Sequence, residues 1–154
     1  MISEKSINYI NEKVGDYPHG RSALMAALHE LQSEEGWLSP DTLEEISDVL
    51  NIPAATVKGV ATFYHMYRHA PMGRNIVQIC TNVACMVMGS DSLVELLEKE
   101  FSLAPGGTTE DNRFSLVIME CIGACGTAPA MLVNDDFHEN LDEKNIIEIL
   151  KGYK

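Results

Sequence analysis

Residues 76–101 read IVQICTNVACMVMGSDSLVELLEKEF. The run IVQIC (76–80) is short, apolar and β-branched, which predicts a strand, and that strand ends in a cysteine. Four residues intervene before Cys85; then Gly89 and Ser90 punctuate the chain, and Leu93, Leu96 and Leu97 recur at helical spacing. Ser90 is the expected N-cap of a helix running to Phe101. The same design returns downstream, where FSLVIM (114–119) predicts a second strand followed by Cys121 and Cys125 in CIGAC. Residues 130–133 and 137–140 predict a hairpin turning through Asn134, Asp135 and Asp136, and Asp142 opens a last helix through Ile146, Ile147 and Leu150. If the strands ending near Cys80 and Cys121 are neighbours, both cysteine loops project from one edge of the sheet.

The chain holds four cysteines, all in these two pairs, C-x4-C and C-x3-C. Four thiolates suit a 2Fe-2S cluster, two for each iron. They also suit a structural zinc ion or two disulfides. Zinc ribbons usually use C-x2-C knuckles, and plant-type ferredoxins use C-x4-C-x2-C, so neither spacing matches. A chain of 154 residues can bury a core without disulfide staples. No charged side chain stands in 77–90 or in 121–134, and Gly89, Gly123, Ala124, Gly126 and Ala128 leave room for backbone N–H groups to approach sulfur. Two apolar loops with turn glycines would explain the glycines but not the paired cysteines. The cluster is the favoured reading, with zinc and thiol redox chemistry kept beside it.

Residues 68–75 (RHAPMGRN) separate this half from one of different pattern. Ahead of them Ile7, Ile10 and Val14, then Leu24, Ala27, Leu28 and Leu31, then Leu43, Ile46 and Leu50 repeat at helical spacing. Ser39 before Pro40 is a helix start, Gly36 a helix end, and a fourth helix is expected from residue 53 or 54 to about Tyr67. The chain therefore reads as α+β: a helical bundle over residues 1–70, then a thioredoxin-like domain over 71–154 with a mixed four-stranded sheet flanked by helices.

A net charge of -12 argues against nucleic acid or anionic membrane as a partner. No apolar stretch reaches the ~20 residues of a membrane span, and the first residues, MISEKSINYINEKVGDY, lack the apolar core of a signal peptide, so a cytoplasmic location without membrane insertion is expected. The histidines are scattered; His65 and His69 share a metal-capable spacing on the expected fourth helix, but no third ligand completes it. Ser90, Ser92 and Ser115 have no histidine near them in sequence, no phosphate-binding glycine loop appears, and no catalytic residue is assigned. Phe63 and Tyr64 suit either bundle core or a docking surface, and Met25, Met66, Met86 and Met88 are expected to fill gaps.

Four stretches carry a resemblance: YPHGRSALMAALHELQSEEGWLS, VKGVATFYHMY, PMGRNIVQICTNVACMVMGSDSL and ECIGACGTAPAMLVND. Together they resemble the thioredoxin-like 2Fe-2S ferredoxin subunit of respiratory complex I (NADH:quinone oxidoreductase), a family shared with NAD-linked hydrogenases and formate dehydrogenases. The resemblance implies that Cys80, Cys85, Cys121 and Cys125 bind one 2Fe-2S cluster and that the chain is an electron-transfer subunit of an NAD-linked oxidoreductase. It also implies a larger partner subunit that holds FMN, the NAD(H) site and a further iron–sulfur cluster, with the helical half docking on it. Attachment to the inner membrane would then be peripheral, through the complex; a homodimer of the isolated chain is left open. The alternatives are a zinc-stabilised interaction module and a free-standing ferredoxin. Family members often carry Trp or His after the second cysteine and Arg before the glycine, where this chain has Met86 and Met88. Without that cation the cluster should sit at a lower potential.

Overall fold

A computed structural model of the chain describes residues 2–154. They form two compact units, one ending at Pro71 and one spanning Met72–Lys154. Helices come first and a four-stranded mixed sheet follows, the α+β class that the sequence predicts.

The first unit holds α1 (Glu4–Gly15), α2 (Leu24–Glu35), α3 (Pro40–Leu50) and α4 (Ala54–Phe63), with a 3-10 turn at Gly20–Ala23. Helices of 10 to 12 residues are marginal alone, so packing holds them. Ile10, Ala27, Leu28, Leu31, Ile46, Val57 and Ala61 are fully buried, and each larger side chain contributes about 1.5–3 kcal/mol. Ser39 caps α3 by accepting from the Thr42 N–H at 3.0 Å, with Pro40 behind it, and Gly36 ends α2 at φ 83°.

The fourth helix stops at Phe63, four residues short of expectation. The Gln32 side chain explains the early stop. Its amide donates to the Met66 carbonyl at 2.9 Å and accepts from the Arg68 N–H at 2.7 Å, pinning this segment to α2 in a non-helical path. Tyr67 is buried beneath it, its hydroxyl donating to the Met25 carbonyl at 3.3 Å and its ring 5.2 Å from His29. His65 and His69 therefore do not share a helix face; the His69 ring bonds the Ala61 carbonyl at 3.1 Å. Phe63, Tyr64 and Met66 are left exposed.

In the second unit the strand order is β2-β1-β3-β4, with β1 at Asn75–Cys80, β2 at Phe114–Met119, β3 at Met131–Val133 and β4 at Asp136–His138. β1 and β2 are parallel, in the register Asn75↔Phe114 to Cys80↔Met119. β3 lies antiparallel on the other side of β1, and β4 antiparallel on β3. The hairpin is tighter than expected, because Val133 pairs with Asp136 and only two residues turn. Asn134 supplies the positive φ of 56° that such a turn demands, and its side-chain oxygen accepts from the Ile76 N–H at 2.9 Å, tying the turn to β1.

Three helices complete this unit: α5 (Val83–Val87), α6 (Ser90–Phe101) and α7 (Glu143–Gly152). Val77, Ile79, Leu93, Leu97, Leu116, Met131, Ile146 and Leu150 make the core between sheet and helices. A capping box of Asp142 and Asn145 opens α7. The short α5 lies inside the first cysteine loop, where the sequence suggested only loop. Ser90 does not cap α6; Gly89, at φ 98°, occupies that place without a side-chain bond, and Ser90 is the first residue inside the helix.

Candidate functional site

Because β1 and β2 run parallel and in register, their carboxyl ends lie side by side, and both cysteine loops leave from that edge. Cys80 is the last residue of β1 and Cys85 sits on α5, and both are buried. Cys121 follows β2 by two residues and Cys125 opens a 3-10 turn, Cys125–Thr127; both are exposed. All four are free thiols. Cys80, Cys85 and Ala128 form a small apolar cluster of their own, with Ala84 and Ile122 packed on it.

Backbone groups shape this edge. The Cys80 N–H donates to the Ala130 carbonyl at 3.1 Å, and the Thr81 N–H to the Met119 carbonyl at 3.2 Å, so the first loop is stitched to the strands on either side. Gly123, at φ 77°, turns its N–H onto the Cys121 sulfur at 3.3 Å. A side chain there would be strained by the backbone angle. Asn82 and Ile122 direct N–H groups at the Cys80 sulfur, and Ala130 directs one at Cys85.

The two buried thiols are driven apart in acidity. Burial pushes the Cys80 thiol up, but the Asn82 and Ile122 N–H groups and the Cys85 and Cys121 thiols together hold it below the ordinary cysteine value. Burial pushes the Cys85 thiol above that value, helped by its bond to Cys80 and by the negative charge that Cys80 and Cys125 can carry. The Ala130 N–H only partly offsets this. Of these two thiols Cys80 ionises the more readily, and its thiolate is stabilised by dipoles rather than by a cation.

Among the described residues no three His, Cys, Asp or Glu side chains are closed into a metal cage. Cys80 is influenced by the thiols of Cys85 and Cys121, and Cys125 is within electrostatic reach of Cys85. Soft sulfur donors, N–H groups directed at them and loops without charge fit an anionic iron–sulfur cluster. The Ser90 hydroxyl is fully buried without a hydrogen-bond partner, an arrangement that costs about 1–3 kcal/mol if nothing satisfies it.

The N–H groups of Asn82, Ile122 and Ala130 escape sequence reading, because main-chain donors carry no side-chain signature. The exposed face of α5 also escapes it. Only Cys85 of that helix is buried, so Val83, Met86, Val87 and Met88 point outward at 67%, 48%, 75% and 61% exposure. Met86 and Met88 are therefore not gap fillers, and neither is Met66. A five-residue helix presents one narrow buried side, which the cysteine occupies.

Comparison with known proteins adds the family. Over 138 residues, 90% of this chain and 82% of the relative, it is 41% identical to a subunit of NADH-quinone oxidoreductase from Rhizobium meliloti. It is 37% identical over 145 residues to a subunit of NADH-quinone oxidoreductase from Escherichia coli K12, covering 94% of this chain and 87% of that one. Among solved structures, an NAD+-reducing [NiFe]-hydrogenase in the air-oxidized state aligns with a TM-score of 0.70 and 29% identity. That alignment spans 84% of this chain but only 23% of the hydrogenase chain. These relatives are parts of oxidoreductase complexes. No helix among the described residues is long and apolar enough to cross a membrane. The family model for thioredoxin-like [2Fe-2S] ferredoxins matches residues 10–154, and the chain belongs to that family of 2Fe-2S cluster carriers.

Proposed function

We propose that Cys80, Cys85, Cys121 and Cys125 hold one 2Fe-2S cluster and that the chain passes single electrons between this cluster and the FMN of an NADH-oxidising partner subunit. The observation that carries the assignment is the departure of both cysteine pairs from the adjoining carboxyl ends of β1 and β2. When bound, the cluster supplies one-electron uptake and release. The chain's own residues hold it, direct N–H groups at its ligand sulfurs and keep charge out of both loops.

Relatives in NADH-quinone oxidoreductase and in an NAD+-reducing hydrogenase support partner subunits for this chain in an NAD-linked complex, and the flavin on one of them is what the family resemblance implies. Two apolar surfaces are available to it. One lies on the helical unit, where Phe63 is 79% exposed beside Tyr64 and Met66; the other is the α5 face next to the cysteines. Phe63 and Tyr64 pack edge to face at 5.0 Å and so present a pre-ordered aromatic surface. We assign the helical surface to docking, as the part that fixes cluster-to-flavin distance, and with it a peripheral place on the membrane through the complex.

The test is co-purification of the host's flavin subunit with the full chain and with Phe63→Asp and Val87→Asp forms, with iron counted in each. Loss of the partner from Phe63→Asp alone supports the helical surface. Loss from Val87→Asp alone moves docking to the cluster unit, and failure of the unaltered chain to retain a flavoprotein overturns the partnership.

A further inference from the structure

In the first unit α3 and α4 pack side by side, and both line an open groove of about 360 Å³. Leu38 and Leu43, almost fully buried, give it an apolar floor, while Ala54 and Ala55, exposed at the start of α4, leave room for a close approach. The uncharged polar side chains at its rim already have partners. The Thr62 hydroxyl donates to the Lys58 carbonyl at 2.8 Å, and the His69 ring donates to the Ala61 carbonyl at 3.1 Å, since a carbonyl only accepts. The charged side chains have none. Asp41 and Asp48 lie three residues before and four after Glu44, itself in the lining, so three exposed carboxylates share one stripe of α3. Among the described residues no ion pair or side-chain hydrogen bond engages any of them, nor the Lys58 ammonium on the α4 side. Asp48 stands in the last turn of α3, where the helix dipole disfavours a carboxylate and no basic residue offsets it. Local helix stability therefore does not account for the row.

We propose that this groove seats a basic amphipathic helix of a partner subunit, with the helix's apolar residues on Leu38, Leu43 and the two alanines and its Lys or Arg side chains on Asp41, Glu44 and Asp48. The inference deepens the assignment of docking to the helical unit and rests on it; Thr62, in the lining, adjoins Phe63 in the chain. A helical occupant follows from hydrogen bonding. α3 and α4 satisfy their backbone groups internally, so an extended segment laid between them would gain no main-chain partners, whereas a helix brings its own bonds and only its side chains have to fit. The sign of its charge follows from the carboxylate row, because bases set against rim acids speed encounter and fix register. Lys58 on the other wall repels a base there, which sets which side of the helix turns toward α3. A second copy of this chain does not supply such a helix. Every helix in it except α4 has at least as many acids as bases, and α4 is a wall of the groove itself.

The experiment purifies the full chain from its host with its partner subunits, as unaltered protein, as Ala55→Trp, as the double change Glu44→Lys with Asp48→Lys, and as a control double change, Glu98→Lys with Glu100→Lys, at exposed positions of α6. Iron content and circular dichroism check the fold of each. Filling the groove at Ala55 and reversing the α3 row should each cut partner recovery about tenfold or more, while the control keeps it. A benzophenone amino acid in place of Ala55 reads the same contact without altering the row: on irradiation it should cross-link to a partner-subunit segment in which Lys or Arg flank apolar residues. Unchanged recovery in either groove variant would overturn the proposal. So would a cross-link to an acidic segment, to a second copy or to lipid, or equal losses from the α3 and control changes, which would make net charge the cause. Loss of the partner from Phe63→Asp with both groove variants unaffected would leave docking on the helical unit standing and remove the groove from it. If the unaltered chain retains no partner subunit, the docking assignment fails and this inference with it.

Discussion

The two cysteine pairs share a sheet edge but not an environment. Cys80 and Cys85 are 3% and 2% exposed, one ending a strand and the other on a helix, while Cys121 and Cys125 are exposed in a loop. The first pair belongs to the fold: it fills an apolar cluster with Ala128, and its thiols are shifted in acidity by burial and neighbouring groups. The second pair contributes little packing, and its backbone is turned by Gly123 so that an N–H faces sulfur. The four proposed ligands thus divide into a pair buried within the fold and a pair held at its surface by a hydrogen-bonded turn.

The largest expected difference is in stability without metal. Cys85→Ser puts a more polar hydroxyl in a buried place and should cost the metal-free chain about 1–3 kcal/mol. Cys125→Ser at the exposed loop should change it by less than about 0.5 kcal/mol. Both should lose or weaken the cluster. Urea unfolding of the metal-free forms checks this, and equal destabilisation by the two would erase the distinction between the pairs.

Alkylation sharpens the same contrast. In the metal-free chain iodoacetamide should reach Cys121 and Cys125 first, with Cys80 and Cys85 more than about tenfold slower, since exposing them requires an opening of at least about 1.4 kcal/mol. Peptide mapping over time reads the order directly. Labelling at one common rate would mean that the first loop opens freely.

A smaller effect concerns potential. With four anionic ligands and no cation in either loop, the midpoint should be low, about -400 mV as for plant-type clusters. Met88→Arg should raise it by only on the order of tens of mV, because an exposed cation is screened by water. A midpoint near zero would show that hydrogen bonding outweighs charge at this edge.

The smallest effect lies outside both loops. Tyr153 donates to Asp136 at 2.8 Å and bonds the His138 ring at 2.9 Å; burial, then Asp136, pushes its phenol up to about 12. A raised pKa means that its contribution is complete below the ordinary value of 10.0 and is lost as pH rises through about 12. Tyr153→Phe should cost about 1 kcal/mol at neutral pH, remove that alkaline loss and leave iron content unchanged. Alkaline unfolding curves of the two forms test it.

Much of the fold was legible because its signals were periodic. The leucines of α6, the apolar runs of β1 and β2 and the Ser39–Pro40 start of α3 each pointed to one local structure, and packing agreed. What escaped depends on contacts far apart in sequence. Gln32 ends α4 from 34 residues away, and no periodicity encodes that. Ser90 resembled a cap because serine caps helices, but Gly89 already turned the chain and left the hydroxyl inward. At the site the cysteines stood out as residue types, whereas the N–H donors around them follow only from the path of the backbone.

The central claim is that one cluster draws on both pairs, and the most direct measurement is iron and acid-labile sulfide per chain in protein purified without oxygen, with EPR of the reduced form. The account predicts red-brown protein with about two irons and two sulfides and a one-electron signal that is lost or altered in both Cys85→Ser and Cys125→Ser. Stoichiometric zinc without labile sulfide, or signals untouched by either substitution, would contradict it.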